Sequence, residues 1–95
     1  MDNNQLLDSV QEFFTRGVNK SRQGDHKGAI SDFNQSLQLN PNDADAYGNR
    51  CVSHYKVGDK QRAIEDCQKA AELYLEQGKT KNYQYAMKVL EKLQQ

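Results

Sequence analysis

The stretch GDHKGAISDF at residues 24–33 returns as GDKQRAIEDC at residues 58–67, so that five of its ten residues recur 34 positions further along the chain. The same period continues on both sides of the stretch, where three further residues have identical partners: Arg16 with Arg50, Val18 with Val52, and Leu39 with Leu73. Self-similarity at a fixed period of this length is typical of repeat proteins. The sequence therefore predicts two copies of one structural unit.

Each copy has the pattern of two helices. Apolar and small residues recur three and four positions apart, as at Phe13 and Gly17, which is the spacing of an amphipathic helix. The Gly-Asp pairs at 24–25 and 58–59 can end a helix, because glycine adopts the left-handed conformation readily. The proline in the segment NPND at 40–43 prevents a helix from continuing. Each copy is therefore expected to be an antiparallel helix pair.

The final part of the chain predicts a capping helix, which covers the apolar face of the second copy. Thr80 is expected to cap this helix at its N-terminus. One face is expected to carry Tyr83, Ala86, Met87, Leu90 and Leu93, while Lys81, Lys88, Glu91 and Lys92 face water. At the other end of the chain, Leu6, Leu7 and Val10 extend the first helix and either cover the exposed edge or support self-association. The prediction is five helices, at 3–23, 26–39, 44–57, 60–77 and 80–93.

The sequence resembles the tetratricopeptide-repeat (TPR) family, which has a 34-residue period and characteristic aromatic, glycine, alanine and proline positions. The matching residues are Phe13, Gly17, Ala29, Phe33 and Pro41 in the first copy and Tyr47, Ala63 and Ala70 in the second. The chain departs from the family pattern at five positions. Lys20 and His54 replace its tyrosine, Cys51 replaces its glycine, Cys67 replaces an aromatic residue and Leu75 replaces its proline. The resemblance implies an all-α right-handed superhelix of helix hairpins. It divides a single domain at 1–95 into TPR 1 at 10–43, TPR 2 at 44–77 and the capping helix at 78–95.

A charge pair is duplicated together with the repeat. Arg16 and Asp32 are separated by the same 16 positions as Arg50 and Asp66. This separation can bring one residue of each helix of an antiparallel hairpin face to face, and arginine pairs well with a carboxylate. We therefore predict a structural ion pair within each hairpin, with contacts shorter than about 4 Å.

The resemblance to the TPR family also implies a binding surface, because the first helix of each repeat lines a concave groove in that family. The corresponding positions here are Gln11, Phe14, Thr15, Val18 and Arg22 in the first repeat and Asp45, Asn49, Val52, Tyr55 and Lys56 in the second. The alternative for Phe14 and Val18 is that they belong to the core. Both also occupy places where a chaperone-tail-binding subclass carries a clamp lysine and a clamp asparagine, so chaperone-tail binding is disfavoured.

Composition and motifs disfavour several classes of function for this chain. Thirteen basic and thirteen acidic residues cancel, which disfavours nucleic-acid binding. No apolar run could span a membrane and no secretory signal is visible, so a cytoplasmic location is expected. The two cysteines are expected to be free thiols, and no metal or cofactor motif is visible.

Catalysis requires converging side chains, and none are apparent around His26 or His54. The expected function is non-enzymatic binding of a protein or peptide in the groove, as a scaffold or adaptor. The alternatives are a structural adaptor that associates as a homodimer and, disfavoured by the charge balance, an RNA-binding module.

Overall fold

The computed structural model describes residues 2–95, and this range contains five α-helices and no β-strand. The helices are α1 (Asn3–Arg22), α2 (His26–Leu39), α3 (Ala44–Lys56), α4 (Lys60–Glu76) and α5 (Thr80–Leu93). Each packs against the helix that follows it in the chain, so that α1 with α2 and α3 with α4 form two hairpins and α5 covers the second hairpin. The all-α class of helical hairpins is confirmed, and each predicted helix boundary is within one residue of the observed one.

The turn within each hairpin has the conformation that its Gly-Asp pair predicts. Gly24 and Gly58 have φ angles of 86° and 88°, in the left-handed region that favours glycine. The aspartates that follow, Asp25 and Asp59, cap α2 and α4 by accepting hydrogen bonds from backbone N–H groups in the first turn. In each of these two turns a glycine follows the end of the first helix, and the next residue caps the second helix.

The turn before α5 has the same geometry, and it shows that Thr80 is not the N-terminal cap of this helix. Gly78 has a φ angle of 71°, which leaves the next residue, Lys79, at the capping position. Lys79 makes no side-chain capping bond, and Thr80 is the first residue of the helix. The prediction was wrong because a hydroxyl side chain was preferred as the cap over the position that follows the glycine.

The core has two parts, one in each hairpin. In the first hairpin, the fully buried ring of Phe33 packs directly over Gly17. In the second, a cluster is built from α3, α4 and α5, and it includes Cys51, Cys67, Ala70, Leu73, Tyr74, Ala86, Leu90 and Leu93. Met87 was predicted to lie on the buried face of α5, but its side chain is exposed. It lies one position beyond Ala86, and adjacent helical residues point about 100° apart.

The contact between Gly17 and Phe33 predicts a large difference between two glycine substitutions. A methyl group at position 17 would lie 2.7 Å from Cε1 of Phe33, which is too close for two carbon atoms. Gly17→Ala is therefore expected to lower the free energy of unfolding by about 1–3 kcal/mol, the usual cost of overpacking. The measurement is urea-induced unfolding followed by circular dichroism.

Gly48→Ala is the matched control for this substitution. Gly48 also lies within a helix, and the nearest atom to a methyl group there would be the Tyr74 hydroxyl oxygen at 3.9 Å, an ordinary contact. Alanine is favoured over glycine inside helices by about 1 kcal/mol, so this change should be neutral or stabilising. Equal destabilisation by both changes would mean that the close packing at Gly17 has no special role.

Candidate peptide-binding groove

A groove runs between α3 and α5, over the part of the core that α4 supplies. It consists of two adjoining cavities of about 270 Å³ and 250 Å³. Both cavities are lined by Cys51, Val52 and Val89, so they form one continuous depression. The larger cavity extends toward the N-terminal ends of the two helices, where Asp45 and Tyr85 line it, and the smaller extends toward their C-terminal ends.

The walls of this groove, which we call the α3–α5 groove, carry unusually exposed apolar and aromatic side chains. Tyr85 is 71% exposed, Tyr55 is 55% exposed and Val52 is 46% exposed. Single exposed apolar residues are normal on protein surfaces, but a set that lines one concave surface indicates a binding site. The three side chains lie on helices whose buried faces are held in the core, so the surface is presented by rigid elements.

The structure brings together only part of the residue set that the TPR resemblance implied. Asp45, Asn49, Val52 and Tyr55 line the α3–α5 groove, while Lys56 is exposed at the end of α3. The α1 residues of the set, Gln11, Phe14, Thr15, Val18 and Arg22, line neither cavity of this groove. The groove as described therefore belongs to the second repeat and the capping helix.

Three α1 residues of that set have identifiable partners in their own hairpin. The ring of Phe14 packs on the buried ring of Phe33, with centroids 6.0 Å apart, which favours the core alternative for Phe14. Gln11 donates a hydrogen bond to the hydroxyl of Thr15, one turn further along α1. Val18 is partly buried and Arg22 is exposed.

The residues that α5 contributes to the groove are Tyr85, Val89 and Lys92, and none of them was among the predicted site residues. They are spaced four and three positions apart, so they share one side of the helix. The sequence pattern of α5 predicts a single apolar face that covers the core. Tyr85 and Val89 lie at helical spacing outside that face, and this was the signal that could have identified them.

One end of the groove is acidic and rich in hydrogen-bond acceptors. The hydroxyl of Tyr74 donates a hydrogen bond to Oδ1 of Asp45. Burial and this hydrogen bond to the carboxylate raise the pKa of Tyr74, so the phenol keeps its proton and remains a donor. Asn49 donates from Nδ2 to the backbone carbonyl of Asp45, which leaves its Oδ1 as an acceptor.

The floor of the larger cavity holds the two cysteines, which are free thiols buried between α3 and α4. A hydrogen bond with Cys67 and burial both raise the pKa of the Cys51 thiol. The same hydrogen bond stabilises the Cys67 thiolate and lowers the pKa of Cys67. The Sγ atom of Cys67 also donates to the carbonyl oxygen of Ala86, 3.1 Å away, and so connects α4 to α5.

An ion pair behind the groove ties α3 to its neighbours. Arg50 donates two hydrogen bonds to Asp66, from Nε at 2.8 Å and from Nη2 at 2.7 Å, and a third to Oδ1 of Asn34 at 2.9 Å. The hydrogen bond with Asp66 raises the pKa of Arg50. One guanidinium thus joins α2, α3 and α4, and it also lies over the ring of Tyr47 with Cζ 5.4 Å from the centroid.

The equivalent ion pair of the first hairpin is looser and is shared. Nη2 of Arg16 lies 3.5 Å from Asp32, and Nζ of Lys20 lies 2.9 Å from the other oxygen of the same carboxylate. Lys20 corresponds to His54 in the second hairpin, where burial lowers the pKa of the imidazole and so favours its neutral form. The Asp32 carboxylate therefore has two cationic partners, whereas Asp66 has one, Arg50, and Nε2 of the His54 imidazole lies 3.6 Å from its Oδ2.

Two further observations concern other kinds of site. No helix within residues 2–95 combines the length and the apolar character that crossing a membrane requires. In the same range, no group of three or more histidine, cysteine, aspartate or glutamate residues is placed to hold a metal ion.

Comparison with known proteins identifies the family. A "Tetratricopeptide repeat" family model matches residues 44–77 and a "TPR repeat" model matches residues 22–58, so that together they cover 22–77, more than half of the chain. The chain therefore belongs to the tetratricopeptide-repeat family. Repeats of this family generally mediate interactions between proteins, on the concave surfaces that stacked repeats create.

Curated relatives agree with this family. The tetratricopeptide repeat protein 36 homolog of Nematostella vectensis is 39% identical over 69 residues, or 73% of this chain and 38% of that protein. Tetratricopeptide repeat protein 36 of Danio rerio is 33% identical over 73% of this chain and 37% of its own length. The heat shock protein sti1 homolog of Schizosaccharomyces pombe is 32% identical over 70% of this chain and 11% of its own length. The chain thus spans well under half the length of the relatives it matches.

Proposed function

We propose that this protein binds a polypeptide segment of a partner protein in the α3–α5 groove and acts without catalysis. The observation that supports the proposal is the concentration of exposed Val52, Tyr55 and Tyr85 along one concave surface. Aromatic residues supply much of the binding energy at protein interfaces, because they bury a large area at a small cost in side-chain entropy. A cytoplasmic location is part of the same proposal.

The proposed groove differs from the one that binds chaperone tails through a clamp of lysine and asparagine side chains. Its charged residues are a carboxylate at one end, Asp45, and a single lysine at the other, Lys92. On α1, Phe14 and Val18 occupy two of the clamp positions, and Phe14 packs on Phe33. We therefore propose an apolar segment as the ligand and not a cluster of carboxylates.

The experiment is a selection of binders from a random twelve-residue peptide display library, followed by mapping of the tightest peptide by amide chemical shifts. Peptides should be enriched, and the shifts should concentrate on α3 and α5. Val52→Glu should weaken the tightest peptide by at least about tenfold, as expected for an interface centre. Leu75→Glu is the matched control, because Leu75 is also exposed but lies on α4 outside the groove.

Other results would contradict this function. Equal weakening by Val52→Glu and Leu75→Glu would place binding elsewhere, and failure to enrich any peptide would remove the peptide-binding proposal. The second candidate is the self-associating adaptor, which the exposed Leu7 on α1 favours. A molecular mass that doubles with concentration, together with no peptide enrichment, would support that candidate.

A further inference from the structure

The polarity of the groove indicates what kind of segment it accepts. The acidic end is lined by Asp45, Asn49, Tyr74 and Tyr85. Within residues 2–95, no lysine or arginine lies within ion-pair distance of Asp45. Lys79 lines a neighbouring cavity that Asp45 also borders, but it is not paired with Asp45. The carboxylate is therefore a negative charge without a cationic partner at one end of the groove.

Within residues 2–95, two acceptor atoms at this end receive no hydrogen bond, Oδ2 of Asp45 and Oδ1 of Asn49. Oδ1 of Asp45 is occupied by the Tyr74 hydroxyl, and no donor within residues 2–95 reaches Oδ2. Asn49 has used one of its amide hydrogens on the Asp45 carbonyl and keeps its oxygen free. A ligand group that satisfies a carboxylate oxygen and an amide oxygen together must be a donor, and a cationic donor makes the stronger bonds.

The aromatic residue at the mouth favours the same kind of group. Tyr85 is 71% exposed, so its ring has a face available to a ligand. The face of an aromatic ring attracts ammonium and guanidinium groups, and the attraction adds to that of a nearby carboxylate. Building on the proposed function, we propose that the acidic end of the groove binds a lysine or arginine side chain of the partner segment.

The opposite end of the groove fixes the order of charged and apolar residues in the segment. Lys92 and Tyr55 line the smaller cavity, so an acidic side chain of the segment would be attracted there. Asp45 and Tyr55 are ten positions apart on α3, which is roughly 15 Å along the helix axis. An extended chain covers this distance in roughly four to five residues, at about 3.3 Å per residue. The segment is basic, then apolar, then acidic along the groove.

The test compares the selected peptides on matched variants of the full chain. Asp45→Asn keeps an acceptor for the Tyr74 hydroxyl and replaces the other carboxylate oxygen by an uncharged NH2 group, so it should weaken the tightest peptide by about tenfold. Glu72→Gln removes an equal charge from the exposed face of α4 and should leave the affinity unchanged. Replacing the basic residue of the peptide by norleucine should cause the same loss on the wild-type protein and no further loss on Asp45→Asn.

Three additional variants keep the proposal falsifiable. Tyr85→Leu should weaken binding severalfold, while Tyr85→Phe, which keeps the ring, should not. A library selection repeated on Asp45→Lys should replace the lysine and arginine of the enriched peptides by aspartate or glutamate.

The experiment distinguishes failure of this inference from failure of the proposed groove function. Peptides that are sensitive to Val52→Glu but not to Asp45→Asn, or that lack a basic residue, would overturn this inference and leave the groove function intact. If no peptide binds the groove, both proposals fall.

Discussion

A chain that lacks residues 80–95 is expected to lose cooperative folding of its second hairpin, because α5 supplies a large share of that hairpin's core. Leu90, Leu93 and Ala86 are all buried against α3 and α4. Each buried leucine typically contributes about 2–5 kcal/mol, and a small domain has only about 5–15 kcal/mol of stability in total. Thermal unfolding followed by circular dichroism should show a loss of the cooperative transition, accompanied by aggregation.

The control for this truncation is a chain that ends at Leu93, because Gln94 and Gln95 are exposed. It should melt close to the temperature of the full chain. A second variant, Leu90→Ala in the full chain, should lower the free energy of unfolding by about 2–5 kcal/mol. A soluble chain ending at Lys79 that melts like the full chain would show that α5 is not required for the core.

Asp66→Ala is expected to be the most destabilising single change to a charged residue. The Asp66 side chain is 8% exposed and receives two hydrogen bonds from Arg50, whose side chain is 20% exposed. Removing one member of a largely buried pair leaves the other charge without its partner, at a cost of about 3–5 kcal/mol. The free energy of unfolding in urea measures this loss, and the double variant Arg50→Met with Asp66→Ala should lose less than the sum of the two single changes.

The first hairpin supplies the matched comparison. The Arg16 side chain is 51% exposed, and Lys20 continues to neutralise Asp32 when Arg16 is removed. Arg16→Met should therefore cost only about 0–1 kcal/mol, as is usual for exposed pairs. Equal costs for Arg16→Met and Arg50→Met, or an absence of coupling between Arg50 and Asp66, would contradict the distinction between the two ion pairs.

Much of the fold could be predicted from the sequence because its decisive residues act locally. A glycine that permits a positive φ angle and an aspartate that caps the next helix define each hairpin turn within a few residues. The ion-pair positions also depended on local geometry, since a 16-residue separation across a tight turn leaves little choice of partner. The hydrogen bond from Arg50 to Asn34 was not predictable in this way, because it depends on how one hairpin packs on the other.

The candidate site was less accessible to sequence reasoning. Its α3 side followed from the family resemblance, but Tyr85, Val89 and Lys92 line the groove through the tertiary packing of α5 on the second hairpin. For Phe14, the sequence left the concave surface and the core as alternatives, and the contact of its ring with Phe33 favours the core. Helical spacing identifies which residues share a face, whereas tertiary packing decides what that face contacts.

The two buried thiols make it possible to measure how often the helices around them separate. Cys51 is 2% exposed and Cys67 is 3% exposed, so a water-soluble thiol reagent can react with either only after the helices around them separate transiently. Under conditions where closing is faster than chemical modification, the rate of labelling measures the equilibrium population of the open state. Because the sequence contains only these two cysteines, every labelling event reports on the region beneath the groove. A ligand that binds only the closed form slows the reaction in proportion to its occupancy, which yields a binding constant without any label attached to the partner.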